Sequence, residues 1–183
     1  VTSIKENAFA YCSSLSNLTF PQNVTSIGNS AFAYTGLTSI TIPDSVISIG
    51  ARAFYYTPLT EIVLGSSLQT IGVYAFRNLV LSYPSDHELY DPNATGITSL
   101  IIPDSVTSIG HGAFMYQTDL TNLTLGSNST DSGTTIGDYA FAWSGLSNLV
   151  IPTGVTSIGN WAFAYTGLTS ITIPDSVTSI GDD

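Results

Sequence analysis

Residues 24–45 read V-T-S-I-G-N-S-A-F-A-Y-T-G-L-T-S-I-T-I-P-D-S. This stretch decides the fold because it recurs along the chain. Phe32 has counterparts at Phe9, Phe54, Phe76, Phe114, Phe141 and Phe163, so seven of the eight phenylalanines share one lane. The spacings are 23, 22, 22, 38, 27 and 22 residues, a 22-residue unit interrupted by two insertions. Repetition at such a period marks stacked units that bury a common core.

The other apolar positions fall into lanes of their own. One runs Leu15, Leu37, Leu59, Ile97, Leu120, Leu146, Leu168; the next runs Leu18, Ile40, Ile62, Leu100, Leu123, Leu149, Ile171. Two residues further on comes Phe20, Ile42, Leu64, Ile102, Leu125, Ile151, Ile173. The two-residue step between the last two lanes predicts a short β-strand whose middle residue points outward. Pro21, Pro43, Pro103, Pro152 and Pro174 close the strand, and Gly65 and Gly126 take that place in the other two rungs. A proline lacks the backbone donor that lateral pairing needs. The glycine of each V-T-S-I-G segment (Gly28, Gly50, Gly72, Gly110, Gly137, Gly159 and Gly181) is expected to sit at a turn with positive φ. A 22-residue unit with one strand cannot bury its apolar edge alone. In-register stacking at about 4.8 Å per rung solves this and gives a β-rich solenoid of about seven 22–23-residue rungs, with one short parallel strand per rung. Residues 1–183 are expected to form one domain, with loop insertions near 78–95 and 126–135.

Composition narrows the function. The chain carries 13 acidic and 3 basic side chains, for a formal net charge of −10. Lys5, Arg52 and Arg77 cannot neutralise a row of phosphates, so nucleic acid is excluded as a partner and anionic membrane surfaces are disfavoured. Hydroxyls replace charge, with 25 Ser and 24 Thr. The lone Cys12 excludes an internal disulfide, and no apolar run is long enough for membrane insertion. The start at Val1, without Met or a signal peptide, leads us to expect a piece of a longer protein.

The lanes together carry the pattern L-x-x-I-x-I-P-x-x-V-x-x-I-G-x-x-A-F, which resembles the BspA-type leucine-rich repeats of microbial surface proteins. That family often places Cys three residues after the Phe, as at Cys12; Thr35, Thr57, Ser144 and Thr166 depart from this. The resemblance implies a curved right-handed superhelix and an extracellular or cell-surface role in adhesion or partner binding.

Candidate sites are weighed against plain structural roles. Ser85-Asp86-His87-Glu88 in the first insertion could hold a divalent cation, but no second arm of ligands is evident, so no metal or cofactor is expected. No nucleophile elbow, zincin motif or P-loop occurs, and no enzyme is expected. Asp44, Asp104 and Asp175 follow the strand proline and are read as acceptors of local turn bonds. Tyr11, Tyr34, Tyr56, Tyr116, Trp143 and Tyr165, two residues after the lane Phe, are read as packing. Tyr74, Tyr139 and Trp161, two residues before it, are read as outward rings able to stack on a sugar or clasp a protein. The outward strand residues are the default contact surface. There the central rungs, with Glu61, Val63, Ser99 and Ile101, depart from the Thr/Ser background, and Asn122 and Thr124 stand beside them. Five N-x-T sequons begin at Asn17, Asn23, Asn93, Asn122 and Asn128. The expected role is a non-enzymatic recognition or adhesion module for a protein or glycan. The alternative is a structural component of a filament or surface layer, associating end to end.

Overall fold

The fold is taken from a computed structural model, which describes residues 1–78, 96–127 and 133–182. The proposed cation cluster, most of both insertions and two of the sequons (Asn93 and Asn128) lie outside them. The described residues form a parallel β-solenoid of about seven turns and contain no helix.

Each V-T-S-I segment contributes a strand to one continuous parallel sheet. Its members are β1 (Ser3–Ile4), β2 (Ser26–Ile27), β4 (Ser48–Ile49), β6 (Thr70–Ile71), β8 (Ser108–Ile109), β10 (Thr134–Ile136), β11 (Val155–Ile158) and β12 (Ser179–Ile180), paired in that order. The outward strand lanes form shorter ladders: β3 (Ser39–Thr41) pairs with β5 (Glu61–Val63), and β7 (Ser99–Ile101) with β9 (Asn122–Thr124). A bridge joins Val150 to Thr172. The expected lane strand is therefore present in four rungs and reduced to a single bridge between two others, and the structure adds a second strand in each turn. Two-residue strands such as Ser26–Ile27 are too short for alternation to announce them.

Between the two faces runs the phenylalanine spine. Phe32, Phe54, Phe76, Phe114 and Phe141 are buried. Successive rings from Phe9 to Phe163 stack at 5.1–5.6 Å with interplanar angles of 3–9°. The Leu and Ile lanes pack around it as a single core.

The turn glycines correct the sequence reading. None of Gly28, Gly50, Gly72, Gly110, Gly137, Gly159 and Gly181 has positive φ; among glycines that conformation occurs at Gly112 and Gly133. Close approach between rungs explains them instead. A Cβ on Gly50 would lie 2.7 Å from the Asn29 nitrogen and the Gly28 carbonyl carbon of the preceding rung. Positive φ falls on non-glycine residues two before and two after the lane Phe, for example Ser30 (51°), Tyr34 (59°), Trp161 (56°) and Tyr165 (58°). In this conformation the N–H groups of Ser30, Phe32 and Tyr34 donate in turn to the carbonyls of Ala51, Ala53 and Tyr55 on the next rung, at 2.8–2.9 Å. Lateral bonding of this kind offsets a cost of roughly 1–2 kcal/mol per left-handed residue.

The hydroxyl-rich composition has a structural use. Ser45, Ser105 and Ser176 each donate to the carbonyl of Val24, Leu68 or Val155 on the preceding rung, at 2.7–2.8 Å. Asp44 and Asp104 likewise reach across a rung rather than closing a local turn. Their Oδ1 atoms accept the backbone N–H of Ser66 (2.7 Å) and Ser127 (2.8 Å). The bond from Ser66 holds the Asp44 carboxyl below its ordinary range.

Candidate functional site

The two faces differ in continuity. The V-T-S-I sheet pairs at every step, including β6 with β8 across the first insertion (Thr70↔Ser108). On the lane face no ladder joins residues 17–19 to β3, β5 to β7, or β9 to residues 148–150 among the described residues. The last two breaks are also where the two insertions enter the chain. A cleft lies at each break.

The cleft between β5 and β7 is lined by Glu61, Ile62, Val63, Leu64, Ser66, Ser99, Ile101 and Pro103 and encloses ≈ 460 Å³. That volume lies in the range of about 300–1,000 Å³ that ligand sites occupy. Val63 and Ile101 line it at 48% and 66% exposure, and here two exposed aliphatic side chains border the same cleft. At this step main-chain groups face each other without pairing. Ile42 donates to the Val63 carbonyl at 2.8 Å, and the Glu61 N–H points to Thr38. Glu61 and Val63 therefore direct their main-chain groups toward β3, and Ile62 between them faces β7. On β7, Ile102 donates to Thr124 (2.9 Å) and Thr98 accepts from Asn122 (3.2 Å). Ser99 and Ile101 therefore face β5, and no hydrogen bond crosses the step.

Four of the residues expected to bind, Glu61, Val63, Ser99 and Ile101, thus meet in one cleft. Thr124 lines the next cleft with Leu123, Leu125, Asn148, Leu149, Val150 and Pro152, ≈ 340 Å³, while Asn122 stands exposed on β9 outside both. The third cleft, ≈ 270 Å³, lies between Leu18–Phe20 and β3.

Tyr74, Tyr139 and Trp161 lie away from these clefts in a column of their own. Tyr74 packs edge-on against His111 (5.0 Å), and its hydroxyl is 2.8 Å from His111 Nε2. His111 is tilted against Tyr139 (5.5 Å), and Tyr139 stacks on Trp161 at 6.1 Å and 5°. The Tyr139 and Trp161 faces are turned toward each other. The lane after the Phe is mixed: Tyr116 is buried, whereas Tyr11 and Tyr165 are 74% and 63% exposed, stacked on Tyr34 and Trp143.

A feature the sequence reading passed over is an aromatic enclosure around Arg77. Its guanidinium carbon sits 5.2–5.7 Å from the ring centres of Tyr55, Tyr56, Tyr74 and Tyr116, and Nη1 donates to the Tyr55 hydroxyl at 3.0 Å. Burial, followed by a hydrogen bond with Tyr56, pushes the Tyr55 phenol up to about 12, against the pull of Arg77 and Arg52. A signal was present in the position after the lane Phe: Ala in four rungs, it becomes Tyr55, Arg77 and Met115 in three consecutive ones.

Comparison with known proteins agrees with this architecture. The family model described as BspA type Leucine rich repeat region matches residues 1–85 and 92–183, in six copies. No curated protein matches the chain. Among solved structures, a leucine-rich repeat protein from Bacteroides ovatus is 26% identical with a TM-score of 0.79, over 99% of this chain and 43% of that one. The pneumococcal vaccine antigen PcpA is 23% identical with a TM-score of 0.69, over 94% of this chain and 44% of its own. The T. pallidum leucine-rich repeat protein is 24% identical with a TM-score of 0.66, over 99% of this chain and 67% of its own. The chain thus spans less than half the length of the first two. No helix among the described residues is long and apolar enough to cross a membrane. With the family model covering nearly the whole chain, this protein belongs to the BspA-type leucine-rich repeat family.

Proposed function

We propose that this chain is a non-enzymatic recognition module of a secreted or cell-surface protein, binding a protein partner through the lane face. The observation that carries the reading is the cleft between β5 and β7, where exposed Val63 and Ile101 flank an interrupted ladder. Exposed aliphatic walls beside polar rims are the composition of a protein contact. Glycan remains the second ligand class because Tyr11, Tyr165 and Trp161 are exposed. The location is supported by family membership and by the pneumococcal neighbour, described as a vaccine antigen.

The test is a panel of secreted and surface proteins beside a glycan array, each probed with the chain, with Ile101→Asp and with Ser170→Asp as an exposed control. The reading predicts protein binders whose affinity falls at least about tenfold with Ile101→Asp alone. Binding confined to glycans, or indifferent to Ile101→Asp, would contradict it.

A further inference from the structure

Resting on the recognition reading above, we propose that the cleft between β5 and β7 takes an extended basic peptide segment. One aliphatic side chain of the segment sits between Val63 and Ile101, and a lysine or arginine two residues away meets Glu61. Four observations point to this occupant.

Glu61 is the one charged residue lining the cleft, and among the described residues its carboxylate has neither an ion pair nor a hydrogen bond. None of the chain's three cations lines the cleft, so nothing within the described rungs competes for that carboxylate. The surrounding molecule carries a net −10, which steers positive segments toward it and repels acidic ones.

The walls specify the second element. Val63 and Ile101 stand opposite each other on strands that do not pair, over a floor that includes Ile62 and Leu64. This arrangement receives a branched aliphatic side chain and has no donor directed at a sugar hydroxyl beyond Ser66 and Ser99. The main chain limits where the segment can lie. Ile62 on one side, and Ser99 and Ile101 on the other, direct N–H and C=O groups into the step without bonding across it. The two strands come within 8 Å of each other, less than the roughly 9.6 Å an intervening strand would need, so the segment lies along the mouth of the cleft rather than between the strands. Alternation along such a segment places side chains two residues apart on one face, as Glu61 and Val63 are on β5, so an aliphatic and a basic residue at that spacing meet them together.

The test uses two synthetic probes, acetyl-Gly-Lys-Ser-Val-Ser-Lys-Gly-amide, which carries Val and both lysines on one face, and its counterpart with glutamate at both lysine positions. They are titrated into the ¹⁵N-labelled chain and followed by amide chemical shifts. The variants are Glu61→Lys and Ile101→Asp, both at exposed positions, with Ser170→Asp as control. The proposal predicts shifts at Ile62, Ser99 and Ile101 with the lysine peptide. It also predicts at least about tenfold weaker binding of the glutamate peptide, and loss of at least about tenfold with either cleft variant but not the control. Equal affinity for the two peptides, no binding of either at millimolar concentration, or shifts mapping elsewhere would overturn it. So would a wild-type dimer that Ile101→Asp dissociates, since a second copy would then fill the cleft. If the peptides fail while Ile101→Asp still abolishes capture of a panel protein, the basic-peptide proposal falls and the recognition reading stands.

Discussion

Replacing Phe54 by alanine tests the spine at its most constrained point. The ring is 1% exposed and is stacked on both sides, on Phe32 at 5.3 Å and on Phe76 at 5.1 Å. Truncating a fully buried Phe removes its transfer free energy and leaves a cavity, together about 3–5 kcal/mol. The neighbours cannot collapse into the space, because hydrogen-bonded rungs on either side fix their spacing. The N–H of Phe32 is bonded to the Ala53 carbonyl and that of Phe54 to Ala75, both at 2.8 Å. The upper half of that range is therefore expected. For a chain of this size, each kcal/mol lowers the melting temperature by about 2–4 °C, so the shift should be roughly 8–20 °C. Differential scanning calorimetry reads it, with Val150→Ala as the comparison. Val150 is 80% exposed and should cost less than about 0.5 kcal/mol. Were Phe54→Ala to melt with the wild type, or no lower than Val150→Ala, the stacked core would not be what holds the rungs together.

Three further outcomes follow from particular residues. Gly50→Ala places a Cβ 2.7 Å from the backbone of the preceding rung, and urea denaturation should show a loss of about 1–3 kcal/mol from forced separation of the rungs. At Ser30, where φ is 51°, Ser30→Val should be less stable than Ser30→Gly by about 1–2 kcal/mol in the same assay; equality would remove the left-handed strain. Tyr55 should titrate near 12 by ultraviolet absorbance, above its ordinary 10. Its neutral form is favoured in the folded state, so its contribution is intact below pH 10. It is lost as pH rises from 10 toward 12, because the unfolded phenol ionises first.

The lanes made most of the architecture legible. Seven Phe on one phase and an I-x-I-P step implied a stacked solenoid with an outward middle residue, and Thr19, Thr41, Val63, Ile101, Thr124, Val150 and Thr172 are all exposed. The continuous sheet stayed hidden because strands such as Ser48–Ile49 have two residues and carry no alternation. Gly28 and its counterparts looked like turn glycines, since a residue needed for close approach and one needed for positive φ leave the same mark in a sequence. The tyrosines that do adopt positive φ leave none, because lateral hydrogen bonds to the next rung impose that conformation. Departure from the repeat was the useful sign for the candidate site. Glu61, Val63 and Ile101 break the Ser/Thr background, beside Ser99, at the step where β5 and β7 part. That the step would be open could not be read from them, because side-chain type does not report whether the main chains of facing rungs come within bonding distance.

The opening between β5 and β7 is the basis of the functional account, and amide hydrogen exchange along β7 tests it most directly. Ile102 donates to Thr124 at 2.9 Å, whereas the Ile101 N–H faces the unpaired step. Exchange at Ser99 and Ile101 should therefore be at least about tenfold faster than at Leu100 and Ile102. Equal protection of all four amides would mean that the ladder closes across this step, and the cleft would not exist in solution.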